Sequence, residues 1–510
     1  MTRRHRRAFA AGLLAAGLLL TACSAGDVSR TSADSGARKP GAGSTGGSGG
    51  GGKAPAPGAA RDDSAPEGEQ RSAPAPDYLS TFALDVDTAS YGYARRTLAE
   101  GRLPAPDTVR PEEFVNSFRP DYKRPEGDGF GVTVDGARTT AEGWSLVRVG
   151  LATRAADRHG PRPPAALTFV VDISGSMAEP GRLDLVKRSL GVLADQLGDD
   201  DSVALVTFSD EAETRLPMTR VGGARDRIRA VVNGLETTSS TNVEAGVRTG
   251  YDVAVEGRRK GATNRVVLLS DALANTGDTD AQSILRRIDE SRRSYGITLF
   301  GVGVGSDYGD AFMEQLADKG DGHTTYVSDP EQARKVFVDQ LPAHIELRAR
   351  DAKAQVAFDP QTVEQFRLIG YENRDVADED FRNDRVDGGE VGAGHTVTAL
   401  YAVKVRAGRS GHLATATVRW LDPATRAPHE QTGSVETGAL AGSVWGGGHD
   451  SLQLTAIAAY FADRLRGGEL PGAPGYAELA VKAGALAERA ESASVRELAE
   501  SIRQADRLRN

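Results

Sequence analysis

Residues Leu167 to Met177 read LTFVVDISGSM, an apolar run that stops abruptly at Asp172, Ser174 and Ser176, spaced two residues apart. A run so apolar, ended by small oxygen-bearing residues and Gly175, predicts a buried parallel strand that delivers a loop of hard ligands to the edge of a sheet. The surrounding sequence supports such a sheet. From Ala165 to about Leu341, apolar strands alternate with amphipathic helices. Leu183, Val186, Leu190, Leu193 and Leu197 recur at intervals of three and four, as the buried stripe of a helix does. Strands are predicted at Ser202 to Phe208, Val266 to Leu269, Ile297 to Val302 and Thr324 to Val327, with Glu211 to Leu216 pairing as an edge hairpin. Helices are predicted at Ala224 to Leu235, Val243 to Val255, Asp280 to Tyr295 and Asp310 to Asp318. The pattern is that of a doubly wound α/β sheet, whose ligands sit outside the carboxyl ends of its strands.

The flanks have a different texture. Before the α/β region, Thr81 to Val86, Gly131 to Val134 and Trp144 to Leu151 read as strands, and Ser90 to Glu100 and Pro111 to Phe118 as helices. After it, Ala354 to Phe358, Gln365 to Ile369, Thr396 to Val405 and Ala414 to Trp420 read as antiparallel strands. The two strands around Val132 and Val147 have no obvious partners of their own, so they are expected to complete the later sheet, making the α/β domain an insertion in an antiparallel β-domain. Helices at Ser451 to Arg466, Tyr476 to Glu488 and Val495 to Leu508 close the chain, the last with Ser494 and Glu497 as a capping box. Gly388 to Gly394 reads as a hairpin connection, and Asp85-Val86-Asp87-Thr88 as a polar strand-to-helix junction.

At the N-terminus a cationic start precedes an apolar run from Ala8 to Leu20. The run is shorter than the ~20 residues of a spanning helix and reads as a signal peptide over residues 1–22. Leu20-Thr21-Ala22-Cys23 resembles the lipobox of bacterial lipoproteins, which makes Cys23 the expected lipid attachment site. It is also the chain's one cysteine, so no internal disulfide framework is possible. Arg6-Arg7-Ala8-Phe9 partly resembles a twin-arginine export signal, leaving the export route open. Residues 23–76 are rich in Gly, Ser, Ala and Pro, a flexible tether whose span is roughly 40 Å. The expected organisation is therefore signal 1–22, tether 23–76, N-terminal flank 77–164, α/β domain 165–341, β-rich domain 342–440 and helical region 441–510. The protein is expected to be exported and held at the outer side of a bacterial cell membrane by lipid alone. The net charge of −9 and the interspersed charges argue against a nucleic-acid partner.

Two later segments fall at the same sheet edge as Asp172. Ser239-Ser240-Thr241-Asn242 is a polar loop just before a helix, and Asp271 ends the strand RVVLLSD. Here the sequence resembles the von Willebrand factor A domain and its metal-ion-dependent adhesion site. That family's pattern is D-x-S-x-S, a threonine in a later loop, and an aspartate in T-D-G-x-x-N. Asp172-Ile173-Ser174-Gly175-Ser176 matches the first element, Thr241 the second, and Asp271 the third, with Asn275 in place. Ser270 and Ala272 depart from the family's Thr and Gly without loss of a ligand atom, although alanine lacks glycine's freedom at positive φ. STFALDVDTASYGYARRTL and FRLIGYENR, with the EVGAGHTVTALY that follows, resemble the flanks of a bacterial group of A-domain lipoproteins.

The resemblance implies Mg²⁺, or Mn²⁺ or Ca²⁺, held by Asp172, Ser174, Ser176, Thr241 and Asp271. It also implies a protein partner that supplies an Asp or Glu carboxylate, and binding rather than turnover. Two alternatives stay open: an envelope scaffold with a structural metal, and a metal-dependent hydrolase. Against the latter, no HExxH or Walker pattern occurs among 8 scattered histidines, and no histidine lies in a segment predicted to reach Ser174.

Overall fold

Six strands form the sheet that carries the LTFVVD run. They are β4 (Ala165–Asp172), β5 (Ser202–Phe208), β6 (Ala212–Arg220), β7 (Thr263–Ser270), β8 (Thr298–Val304) and β9 (His323–Val327), in the order β6-β5-β4-β7-β8-β9. All neighbours are parallel except the β5–β6 edge hairpin. The computed structural model describes residues 77–84, 86–155, 162–271, 278–305, 323–327, 330–334, 336–337, 341, 345–386, 388–446 and 449–509. The predicted helix at Asp310 to Asp318, the lipobox with Cys23, and Ala272 and Asn275 lie outside them.

β4 is buried along its whole length because both faces of the sheet are covered. Leu167, Phe169 and Val171 pack with Leu183, Val186, Leu190 and Leu193 of α3 (Leu183–Gln196) and with Ile228 and Val232 of α4 (Arg225–Asn233). Val170 faces the opposite way, against Val247 and Tyr251 of α5 (Val243–Glu256), in a cluster that includes Ile284 and Ile288 of α6 (Asp278–Tyr295). A side-chain period of two in the strand and a stripe on each helix thus build the two apolar layers. α5 approaches closely because Gly246 and Gly250 face the sheet. A Cβ at Gly246 would lie 2.5 Å from the Phe208 ring, and one at Gly250 would overlap Val170 Cγ2. The chain leaves β4 toward β5 on one side and continues from β7 to β8 and β9 on the other. The crevice where this order reverses lies at the carboxyl ends of β4 and β7.

The flanking strands form two further sheets. One has the order β11 (Val363–Leu368), β13 (Thr396–Val405), β3 (Trp144–Thr153), β2 (Phe130–Arg138). The other has the order β1 (Leu79–Ala83), β10 (Leu347–Phe358), β14 (His412–Leu421), β15 (Pro428–Glu436), with β12 (Gly389–Gly392) also on β10. β3 pairs along β13 from Trp144↔Lys404 to Ala152↔Thr396, so strands from both sides of the α/β domain share one sheet as expected, but β2 and β3 are each other's local partners and the later strands divide between two sheets instead of one. The two sheets bury Val147, Val149, Tyr401 and Val403 against Phe82, Val356, Phe358 and Val418.

α1 (Ala89–Ala99) and α2 (Pro111–Asn116) share a separate core with α8 (Asp450–Leu465), α9 (Tyr476–Arg489) and α10 (Ala493–Arg509). The short α7 (Pro330–Arg334) precedes the return to the β-domain.

Three sequence expectations need correction. Gly388 to Gly394 is not a plain hairpin connection but contains β12, which pairs with β10 through two register shifts. β15 was not expected, because PHEQTGSVE is exposed at nearly every position and has no apolar alternation. The cap of α10 is Ser492, whose Oγ accepts from Val495 N–H at 3.4 Å, while Glu497 ion-pairs with Arg95 of α1 instead of reaching back as a capping box.

The α/β domain is tied to its flanks by buried polar contacts. Thr263 Oγ1 donates to Ile345 O at 2.7 Å, and Arg265 Nη2 donates to Glu390 Oε2 at 2.7 Å. Asp87 accepts from Thr324 N–H at 2.8 Å and pairs with Arg374 at 3.4 Å. The polar junction predicted at Asp85 to Thr88 therefore includes a buried strut. Thr263 and Arg265 lie at the amino end of β7, so this tie leaves its carboxyl end to the loops described next.

Candidate metal centre

β4 ends at Asp172 because the carboxylate turns back onto its own chain: Oδ1 accepts from Ser174 N–H at 2.8 Å, the local turn that aspartate favours. Oδ2 accepts from the Ser270 hydroxyl at 2.5 Å, a residue 98 positions away at the end of β7. Gly175–Ala178 then forms a 3-10 turn, anchored by buried Met177. That turn brings the Ser174 and Ser176 hydroxyls to 3.1 Å from each other. Ser176 Oγ donates in turn to Asp271 Oδ1 at 2.9 Å, and Arg182 Nη1 donates to Asp271 Oδ2 at 2.5 Å.

Four of the five residues expected from the sequence, Asp172, Ser174, Ser176 and Asp271, thus form one continuous hydrogen-bonded chain. Thr241 stands in the neighbouring loop, half-buried, and no hydrogen bond joins it to the other four among the described residues. The loop is nonetheless fixed against them. Thr238 N–H donates to Ile173 O at 2.7 Å, and Asn242 N–H donates to Ser209 O at 2.6 Å. Asn242 also caps α5, its side chain accepting from Ala245 N–H. Ser240, just before Thr241, holds φ at 70°, an uncommon conformation for a residue with a side chain.

Asp172 has no exposed surface, and among the described residues no Lys, Arg or His pairs with it. Burial pushes its carboxyl above the ordinary range, hydrogen bonds from Ser270 and Ser174 pull it back, and the nearby Asp271 adds to the rise. A buried carboxylate is held by a partner or by a metal, and here the surroundings are oxygen donors. An octahedral Mg²⁺ with metal–oxygen distances of about 2.1 Å has neighbouring ligands about 3.0 Å apart. The Ser174–Ser176 and Ser176–Asp271 contacts of 3.1 and 2.9 Å are ordinary hydrogen bonds, and they hold three oxygens close enough together to share one such cation. The residues present therefore fit a hard divalent cation. Among the described residues no three His, Cys, Asp or Glu side chains converge on one point, so such a cation relies on hydroxyls and water for the rest of its shell.

Sequence reasoning missed two residues. Ser270 appeared only as a departure from the family's threonine, yet it supplies the same hydroxyl function by orienting Asp172. Arg182 carried no signal at all, because nothing in its local sequence connects it to Asp271, 89 residues away.

Comparison with known proteins identifies the domain family. The family model described as von Willebrand factor type A domain matches residues 166–339, and one described as von Willebrand factor matches 64–147. That described as Uncharacterized protein YfbK, C-terminal, matches 344–508. The chain is 34% identical over 416 residues to Uncharacterized protein YfbK of Escherichia coli, covering 77% of this chain and 72% of that protein. It is 27% identical over 193 residues to Uncharacterized protein sll0103 of Synechocystis, covering 38% of this chain and 44% of that one. Among solved structures, the von Willebrand factor type A protein from Catenulispora acidiphila is 15% identical, with a TM-score of 0.46, over 73% of this chain and 88% of its own.

Proposed function

The chain belongs to the von Willebrand factor type A domain proteins, in the family of Escherichia coli YfbK, and from that premise we propose that it is a cell-envelope binding module. In this reading Asp172, Ser174, Ser176, Thr241 and Asp271 hold Mg²⁺, with Mn²⁺ or Ca²⁺ as substitutes, and a protein partner presents an Asp or Glu carboxylate to the open position. The observation that carries it is the buried carboxylate of Asp172, without a basic partner among the described residues, joined to two hydroxyls and a second carboxylate at the switch point of the sheet.

The bound cation would supply a Lewis-acidic position for the partner's carboxylate. The chain's own residues do the rest. Ser270 and the Ser174 amide orient Asp172, Ser176 spaces Asp271 from Ser174, and Ile173 with Ser209 fixes the Thr241 loop. Among the described residues the Ser174 and Ser176 hydroxyls bond to each other, and Ser176 to Asp271, rather than to a histidine, which favours binding over nucleophilic turnover. Tethering follows from Cys23 and the segment behind it, lipid being the only membrane contact.

Capture of partners from envelopes by the full-length protein, with Mg²⁺ or chelator, tests the reading. Asp172→Ala is expected to abolish the Mg²⁺-dependent fraction while leaving the protein folded. Capture that survives both the substitution and the chelator would reject it. Release of a Cys23→Ser variant from the membrane tests the anchor; undiminished retention would remove it.

A further inference from the structure

Arg182 is out of place by local rules. It occupies the N-cap of α3, with φ −107° and ψ −97° and no side-chain capping bond. That position favours Ser, Thr, Asp or Asn, and the helix dipole disfavours a cation there. Its side chain is nevertheless only 6% exposed and is fully engaged at the metal centre. Nη1 meets Asp271 Oδ2 at 2.5 Å and the Ser176 carbonyl at 3.1 Å, and Nη2 meets Glu179 Oε2 at 2.7 Å. Room for it is made by Gly305, the residue that follows β8. There φ is +97°, and a Cβ would lie 2.9 Å from Arg182 Nε. A residue that breaks a local preference and has space cleared for it by another element is set there by the site.

Its consequence is electrostatic. Among the described residues the buried charges at the centre are the carboxylates of Asp172 and Asp271 and the guanidinium of Arg182, so Arg182 offsets part of the negative charge that a divalent cation would meet. Glu179 pairs with the outer side of Arg182 at 2.7 Å and is 64% exposed, so its contribution is weakened by solvent but not removed. We propose that Arg182 is the resident counter-ion of the metal centre: by holding Oδ2 of Asp271 it offsets one of the site's two carboxylates, so that metal and an external carboxylate bind cooperatively. Affinity of oxygen sites for hard cations follows ligand charge. The coupling is reciprocal, because whatever the carboxylate adds to metal affinity the metal adds to carboxylate affinity. The inference rests on the adhesion-site reading above and adds to it the charge balance.

Calorimetric titration of the full chain with Mg²⁺, in chloride and in acetate of equal ionic strength, tests it. The wild type is expected to bind Mg²⁺ about fivefold or more tightly in acetate. Arg182→Gln is expected to bind Mg²⁺ about tenfold more tightly in chloride and to lose most of the acetate enhancement, which Arg182→Lys restores. A merely structural arginine gives the opposite sign: with Asp271 misplaced, Arg182→Gln would bind metal more weakly. Equal or weaker binding in a variant that melts cooperatively, or an undiminished acetate effect, overturns the proposal.

If Arg182→Gln does not fold, Glu179→Gln on the exposed side of the guanidinium provides the check. It is expected to weaken Mg²⁺ binding about twofold, because it unmasks the positive charge; unchanged or tighter binding overturns the proposal. Failure of the underlying reading is seen separately, as an absence of Mg²⁺ binding to the wild type or its survival in Asp172→Ala, and removes both.

Discussion

Arg265 and Glu390 meet where the α/β sheet joins the β-domain, Nη2 to Oε2 at 2.7 Å, with side-chain exposures of 0% and 1%. Arg350 reaches the other carboxylate oxygen at 3.2 Å. One carboxylate therefore serves two guanidiniums in a dry junction between segments 125 residues apart. Loss of one partner from such a pair strands charge without solvent, which costs about 3–5 kcal/mol. Glu390→Gln is expected to lower the unfolding free energy by about 3 kcal/mol in urea titrations. A loss under 1 kcal/mol would mean that water reaches the junction. Replacing Arg265 and Glu390 together by apolar residues is expected to recover part of the loss.

The raised carboxyl of Asp172 has a defined pH signature. A folded-state value above the unfolded one means that the native state holds its proton more tightly. In chelator, this contribution to stability is intact below the ordinary carboxylate range, near pH 4, and is lost as pH rises through the folded value. Asp172→Asn is therefore expected to melt above the wild type at pH 7 without metal, with the gap closing near pH 4. With Mg²⁺ present the order reverses, because only the wild type ligates. Thermal melts at the two pH values, with and without metal, check both signs.

Ser270 holds Asp172 Oδ2 at 2.5 Å. A group that orients a metal-ligating side chain contributes about 10–100-fold to metal affinity, so Ser270→Ala is expected to weaken Mg²⁺ binding by about tenfold. Ser270→Thr, which keeps the hydroxyl, is expected to retain it. Isothermal titration distinguishes this role from general stability if the apo melting temperatures of the two variants stay within a few degrees.

Gly250 fixes the height of α5 above the sheet, since a Cβ there would overlap Val170 Cγ2. Overpacking of this kind costs about 1–3 kcal/mol. Gly250→Ala is expected to lower the urea midpoint and, because α5 begins directly after the Thr241 loop, to weaken Mg²⁺ binding as well. Stability loss with unchanged metal affinity would separate the helix from the site.

Much of this architecture was legible from local pattern alone. The LTFVVD run, the helical stripe of α3 and the alternation after it report burial, and burial imposes periods of 2 and 3.6 on the chain regardless of what lies opposite. Asp172, Ser174, Ser176 and Asp271 were legible for the same reason: strand ends are found from where apolar runs stop, and a doubly wound sheet brings such ends to one edge. The strands around Val132 and Val147 pair with each other, and the second of them pairs, as expected, with a strand more than two hundred residues away. Strand β15 escaped because an exposed edge carries no apolar signal. The Ser494–Glu497 box failed because Arg95, on a distant helix, takes the glutamate that the motif assigns to the cap.

What the sequence determined by itself was which segments are strands and helices, and which polar residues those segments deliver to the carboxyl edge of the sheet. Only the tertiary structure decided that Ser270 orients Asp172, that Arg182 neutralises Asp271, that Gly305 clears the space for it, and that Asp87 and Glu390 fasten the domain to its flanks. These are pairings of side chains on separate elements. They depend on how the elements are set against one another in space, a quantity that no local periodicity encodes.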